Sequence, residues 1–156
     1  MAFNPTSPIT GAPQTGFTSP TFTFVDDVAP GINGKQKAIT AIGGTPPAGI
    51  TLHSVSSPFT QTFTRPSSVK VARSANPLTG VVQSSGKNTY KLLTRKGVVP
   101  GVNQSPQVFP IETSFSVPVG ADSYDIANIR AAVSAHIGLL QQVSAGLGDT
   151  LNTAVI

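Results

Sequence analysis

Cysteine and tryptophan are absent from the 156 residues, and histidine occurs only as His53 and His136. Without cysteine there is no disulfide framework, thiol nucleophile, redox pair or thiolate metal site. Two histidines, far apart and in different kinds of segment, exclude a His-rich metal cluster. Charge is scarce as well: 10% of residues are Asp, Glu, Lys or Arg, against about 25% in an ordinary soluble domain. Long hydrophobic runs are also lacking. The most apolar stretch, Arg130 to Asp149, carries Ser134, His136, Gln141, Gln142 and Ser144, which is too polar for a membrane span. Met1-Ala2-Phe3-Asn4-Pro5 has no basic region leading into an apolar run, so no secretory signal is expected and the chain reads as soluble.

The residue constellations of catalysis are missing too. Asp26-Asp27 and Asp122/Asp125 are the close carboxylate pairs. The first reads as a strand end and the second as helix capping, in preference to acid–base work. His53, within Thr51-Leu52-His53-Ser54, and His136 read as packed or hydrogen-bonded side chains. No phosphate loop, dinucleotide fingerprint or nucleophile elbow occurs. Asn103-Gln104-Ser105 matches a glycosylation sequon, which is without consequence in a chain lacking a signal. Neither an enzyme nor a cofactor or metal site is expected.

What is abundant is hydroxyl and turn chemistry: 18 Thr and 16 Ser, with 15 Gly and 14 Pro. This composition predicts a β-rich domain with frequent turns. The length suits one domain over residues 1–156. Residues 1–20, rich in Pro, Thr and Ser, predict a flexible N-terminal arm. The β-rich section runs over 21–117. Thr21-Phe22-Thr23-Phe24-Val25 alternates as a first strand, and Lys37 to Ile42 forms its hairpin partner across Pro30-Gly31-Ile32-Asn33-Gly34. Further strands are expected at Gly49–Val55, Phe59–Thr64, Ser68–Ser74, Asn88–Arg95 and Gln107–Val117. Turns fall at Pro66, Asn76-Pro77, Gly80, Ser85-Gly86, Gly97 and Pro100-Gly101. Pro110 predicts an irregular start or an edge position for the last strand.

Beyond Pro118 the period changes from strand to helix. Asp122 reads as an N-cap, with Asp125 in the first turn. Ile126, Ile129, Val133, His136/Ile137, Leu140 and Val143 then recur at helical spacing. Gly146 and Gly148 are expected to interrupt the helix, and Asp149 to cap a short final one from Thr150 to about Ala154. Many strands followed by two helices define an α+β fold on an antiparallel sheet. The long helix also carries a ridge of Ala127, Ala131, Ala135 and Gly138, and the 18 residues between Arg130 and Asp149 hold no formal charge. A helix on the outside of a monomer presents charge to water. This one predicts cover on more than one side, by a homodimer in preference to a deeper monomeric core. Ile126, Ile129, Val133, Ile137 and Leu140 are the expected dimer contacts, in a helical dimerisation segment over 122–156.

Net charge is +4, and it is segregated. Lys35, Lys37, Arg65, Lys70, Arg73, Lys87, Lys91, Arg95 and Lys96 all lie between Val28 and Ile111, where no acidic residue occurs. A section of one sign favours an anionic partner such as nucleic acid; a generic solubilising surface is the alternative. Strand alternation puts Tyr90, Leu92 and Thr94 on one face and Lys91, Leu93 and Arg95 on the other. The same rule separates Ile111, Thr113, Phe115 and Val117 from Glu112, Ser114 and Ser116. With the apolar sides under the helices, Lys70, Lys91 and Arg95 project from the open face among hydroxyls. Arg73 and Lys87 extend this surface from the adjoining turn, and Ser114 and Ser116 can bond sugar or base edges.

At the C-terminal third, Glu112-Thr113-Ser114-Phe115-Ser116-Val117-Pro118-Val119-Gly120-Ala121-Asp122, then Ile129-Arg130-Ala131-Ala132 and a short last helix, resembles the coat proteins of single-stranded RNA bacteriophages, the leviviruses and their relatives. Tyr90-Lys91-Leu92-Leu93-Thr94-Arg95-Lys96 looks like the family's central sheet strand. The resemblance covers about residues 67–156 and is weak before that; the arm and the stretch Asn76–Gly86 are longer than the family's pattern. It implies an N-terminal β-hairpin, an antiparallel sheet of about five strands, and two C-terminal α-helices that interlock with a dimer partner. It further implies a small icosahedral shell, usually of T=3 geometry, assembled in the bacterial host cytoplasm around genomic RNA held on the inner sheet face. Some members also repress replicase translation through an RNA hairpin, using a Tyr in the last strand that corresponds to Pro110 here. By position, Lys70, Ala72, Lys91, Leu93, Arg95, Glu112, Ser114 and Ser116 fall on RNA-facing sites, and the loop Gly97–Pro106 on the one lining symmetry axes. The implied partners are the chain itself and viral single-stranded RNA, with no membrane and no small-molecule substrate. A free dimeric RNA-binding regulator and a β-rich fibre or adhesin subunit without an RNA role are the alternatives.

Overall fold

The computed structural model describes residues 3–82 and 86–156. Met1 and Ala2, at the start of the expected arm, and Ser85, expected in a turn with Gly86, lie outside them. Six antiparallel strands form one sheet in sequence order: β1 Ile9–Thr10, β2 Thr21–Asp27, β3 Gly34–Gly43, β4 Phe59–Thr64, β5 Lys87–Val98 and β6 Gln107–Pro118. Three helices follow, α1 Ala121–Tyr124, α2 Ile126–Gln142 and α3 Ser144–Thr153. The α+β order read from the periodicity holds, with a two-residue β1 as the additional strand.

The meander arises because alternating stretches are separated by turn residues that only fold back on their neighbour. Thr62 pairs with Leu93, and Leu93 with Glu112, so one register runs across β4, β5 and β6. β3 is central and covered on both faces: Gln36, Lys37, Ala38 and Ile39 are consecutive buried residues. Phe17 and Phe24 complete the apolar core, and Phe22 meets both Phe17 and Phe59 edge-on.

Two expected strands are loops. Over Gly49–Val55, Gly49 has φ +93°, and the segment makes one backbone bond to a strand, His53 N to Ile39 O, with side chains and a local turn partnering its other bonded groups. Ser57 N donates to Ser54 Oγ, Ser54 N to Ser57 O, and Phe59 N to the His53 ring nitrogen Nδ1. Over Ser68–Ser74 a side chain replaces a strand partner. Buried Asn88 accepts from Lys70 N through Oδ1 and donates to Lys70 O through Nδ2, both at 2.9 Å.

The N-terminal segment, expected as a loose arm, runs along the β2 edge. Ile9 and Thr10 pair with β2, Phe24 N donates to Ser7 Oγ, and Phe3 stacks on Phe63 at 4.4 Å. It covers a row of backbone groups that would otherwise template pairing with another chain. The opposite edge, β6, is open; Pro110 lies there within a continuous strand, so its position is an edge and not an irregular start.

The helix boundaries also differ from expectation. The cap of α2 is Asp125, whose carboxylate accepts from Asn128 N and Nδ2. Asp122 instead lies in α1 and accepts from Gly120 N, because the chain leaves β6 through a positive φ of 95° at Gly120 and makes one short turn first. Gly146, Gly148 and Asp149 all lie inside α3. Contacts with the N-terminal segment, Ser144 Oγ to Pro13 O at 2.6 Å and Thr15 Oγ1 to Asp149 Oδ2 at 2.8 Å, help to hold this helix despite the low helix propensity of its glycines.

Candidate functional site

The β5–β6 register sorts the sheet into two chemically distinct faces. Lys87, Thr89, Lys91, Leu93 and Arg95 project from one side of β5, opposite Pro118, Ser116, Ser114, Glu112 and Pro110 of β6. Tyr90, Leu92 and Thr94 project from the other, opposite Phe115, Thr113 and Ile111. The helices lie on this second side: His136 of α2 meets Phe115 edge-on at 6.3 Å, and a cleft lined by Tyr90, Val117, Ile126 and Ile129 separates the start of α2 from the strands.

On the open face Arg95 is held by its neighbours. Its Nε donates to Thr60 Oγ1 at 3.2 Å and its Nη2 to Gln36 Oε1 at 2.9 Å. Gln36 is fixed in turn: its Nε2 donates to Asp27, and its Oε1 also accepts from Thr62 Oγ1. Gln36, Thr60 and Thr62 are buried, so this network orients the guanidinium, whose other N–H donors have no side-chain partner among the described residues. The Gln36 hydrogen bond holds the Asp27 carboxyl below its ordinary pKa. Sequence reasoning missed Gln36, Thr60 and Thr62, because only the pairing of β3 with β4 and of β4 with β5 brings them beside Arg95.

Lys91 Nζ lies 2.9 Å from Glu112 Oε1, with both side chains about half exposed. The hydrogen bond and charge of Lys91 lower the Glu112 pKa. The pair is internally neutral, so the positive charge of this face comes from Arg95 and Lys87, set against the Asp27 carboxylate that the register places on the same side. Ser116 and Thr89 hydroxyls meet at 3.0 Å, and Ser114 donates to Glu112.

Lys91, Arg95, Lys87, Ser114 and Ser116 therefore share a face, whereas Lys70 and Arg73 lie on the β4–β5 excursion, outside the strands, with the Lys70 ammonium reaching Gly86 beside Lys87. Lys70 is clamped by Asn88, which alternation places on the helix side of β5, and Ala72 packs at Gly120 where β6 gives way to α1. Arg73 lines a cavity of the β4–β5 excursion with Asn76, Pro77 and Val81. The expected Ser68–Ser74 strand would have placed Lys70 beside Lys91; the Asn88 clamp sends the segment elsewhere.

The helices form the second surface. No residue of α2 is buried, and Ile137 is 54% and Leu140 39% exposed. Ile126, Leu139 and Val143 are exposed too, while Ile129 and Val133 are half-buried. On the open edge of the sheet Val108, Phe109 and Ile111 are likewise exposed. Exposed aliphatic and aromatic side chains in this number, on one helix and one sheet edge, mark an interaction site. Among the described residues no cluster of His, Cys, Asp or Glu could hold a metal ion, and no helix is long and apolar enough to cross a membrane.

Neither a protein-family model nor a curated protein matches the chain. Among solved structures it is similar to the chain of the virus-like particle of bacteriophage ESE020, with 56% identity and a TM-score of 0.94, covering 99% of this chain and 100% of that one. An apolar helix and a sheet edge left open for other subunits, on a fold shared from end to end with that particle's chain, show that the protein belongs to the bacteriophage capsid proteins and has a structural coat role.

Proposed function

We propose that this chain is the coat protein of a single-stranded RNA bacteriophage, which dimerises, assembles into a small icosahedral shell in the host cytoplasm and packages genomic RNA against the open face of its sheet. The observation that carries the reading is the bare aliphatic surface of α2 beside the uncovered β6 edge, in a chain so similar to that of a virus-like particle. A second copy related by a two-fold axis would bury Ile126, Ile129, Val133, Ile137 and Leu140 and pair β6 with its counterpart, joining two sheets into one surface. That doubled open face would present Lys87, Lys91 and Arg95 twice, with Ser114 and Ser116 as neutral hydrogen-bonding partners to phosphate, sugar or base. Arg95 is the principal phosphate ligand because Gln36 and Thr60 hold its guanidinium before RNA arrives. Glu112 and Pro110 occupy the last-strand positions of this face. The RNA role proposed is therefore packaging, with replicase repression as a secondary role.

The experiment is particle imaging and absorbance of purified recombinant protein, wild type beside the K91A/R95A double variant. Uniform RNA-filled shells are expected from the wild type, and shells with reduced RNA from the variant. A salt-independent monomer overturns the coat reading. Small RNA-bound dimers that never form shells support the regulator instead, and shells with unchanged RNA in the variant remove the RNA role from this face.

A further inference from the structure

The ladder between β3 and β4 ends at the pair of Ala38 with Thr60, although β3 continues to Gly43 and β4 begins at Phe59. At the following rung Ile39 faces Phe59. Pro58 O accepts from Gly97 N on the β5 side at 2.6 Å, so Phe59 N points towards β3, where Ile39 O would ordinarily take it. His53 stands in that place. Its backbone N donates to Ile39 O at 3.1 Å, and its ring Nδ1 accepts from Phe59 N at 3.1 Å. One residue of the β3–β4 loop thus supplies both the donor and the acceptor of the missing bond.

The loop so pinned is seated on the end of β5. Lys96 Nζ donates to Thr51 O at 2.9 Å and to Thr51 Oγ1 at 2.7 Å, and the Thr51 and Ser57 hydroxyls meet at 3.2 Å. Ser57 is buried against Gly97, where a β-carbon would overlap it. The β5–β6 connection leaves from Val98, next to this contact. The two segments therefore emerge from the same end of the sheet, with Leu52, Val55, Val99 and Val102 exposed.

A ring nitrogen that accepts an N–H carries no proton of its own. A protonated imidazole presents a second N–H to that of Phe59, and the bond becomes a donor–donor contact. His53 is half-buried, so a proton reaches the ring without unfolding. The charged groups of the elements packed about it are Lys96 and Arg95 of β5, Asp27 of β2, whose carboxyl feels the ring's charge through space, and Lys37 of β3, which Asp26 engages. Among the described residues none of these hydrogen-bonds the ring.

We propose that His53 is a proton-sensitive pin between β3 and β4. The neutral ring closes the ladder and seats the loop against Gly97; on taking a proton it releases the loop and loosens the base of the β5–β6 connection. The bond is present at pH 7.5 and is lost as the pH falls through the range, near 6.5, in which histidine gains its charge. The consequence for assembly rests on the coat reading: both segments reach past the sheet towards neighbouring subunits, and acid weakens the contacts they make. The pin itself does not depend on that reading.

The test is hydrogen exchange of the full chain at about pH 7.5 and 5.5, on either side of the histidine range. It is read at the Phe59 amide and corrected for the intrinsic pH dependence of exchange, for wild type, H53N and H53A. Asn offers its Oδ1 as an acceptor near the position of Nδ1 and does not titrate. Protection of the wild-type amide is expected to fall about fivefold in acid, the equivalent of one ordinary hydrogen bond. H53N should keep its protection at both pH values, and H53A should lack it at both. Equal wild-type protection at the two pH values overturns the pin, as does a fall of the same size in H53N. Light scattering of assembled particles over the same range reads the consequence: wild-type shells are expected to come apart at a higher pH than H53N shells. Equal acid stability overturns the link to assembly, and the absence of shells at any pH overturns the coat reading, each distinguishable from failure of the pin.

Discussion

The double substitution I137A/L140A tests the dimerisation argument most directly, because both side chains are exposed in the isolated chain. Fully burying a Leu or Ile side chain is worth about 1.5–3 kcal/mol. Ile137 retains 54% and Leu140 39% of its exposure, so together they hold about one side chain's worth of burial, ~2 kcal/mol, in reserve for a partner. A two-fold interface uses each residue twice, which doubles the loss to about 4 kcal/mol per dimer, or roughly three decades in dissociation constant. The fold of a single chain should change less than the association, since about half of the truncated surface already faces solvent. Sedimentation velocity over a concentration series measures the dissociation constant, and far-ultraviolet circular dichroism follows the fold; Q142A, on another side of the helix, is the control. Dimerisation at the wild-type concentration would refute the reasoning, as would an equal loss in Q142A. Unfolding of the monomer would show that these residues belong to its own core.

Two further outcomes follow from the open face and the excursion. E112Q removes the carboxylate that engages Lys91, so RNA affinity should rise and the logarithmic salt slope should steepen by about 0.7, the value of one further phosphate contact on a single strand; filter binding at several salt concentrations reads this. Acid should act in the same direction: the Glu112 pKa is lowered, so its charge, and the small native-state stability tied to it, persist at neutral pH and vanish only as pH falls through that lowered value. An E112Q salt slope equal to wild type would mean that Lys91 never contacts phosphate. N88A leaves both backbone groups of Lys70 without their partner. The expected loss is about 2–4 kcal/mol, on the order of 10 °C in Tm by calorimetry. A shift within about 1 °C would show that the Asn88 clamp is dispensable.

The strand at Phe59–Thr64, the alternation along β5 and the helical spacing after Pro118 were legible in the sequence, because each is a local pattern of period two or 3.6 closed by Gly or Pro. So were the two faces of β5 and β6, and hence the company of Lys91, Arg95, Ser114 and Ser116, since alternation assigns faces without knowledge of the partner strand. The apolar, nearly uncharged character of α2 was visible for the same reason. Tertiary structure alone decided where Lys70 goes, because one Asn88 side chain from a distant strand satisfies both of its backbone groups. It alone decided that Gln36 and Thr60 orient Arg95, since that follows from pairing between β3, β4 and β5. It also made the N-terminal segment an edge cover and the dock of α3, where Pro13 meets Ser144 and Thr15 meets Asp149 across most of the chain's length. Local patterns are written into neighbouring residues; contacts between remote ones exist only after the sheet has fixed their register.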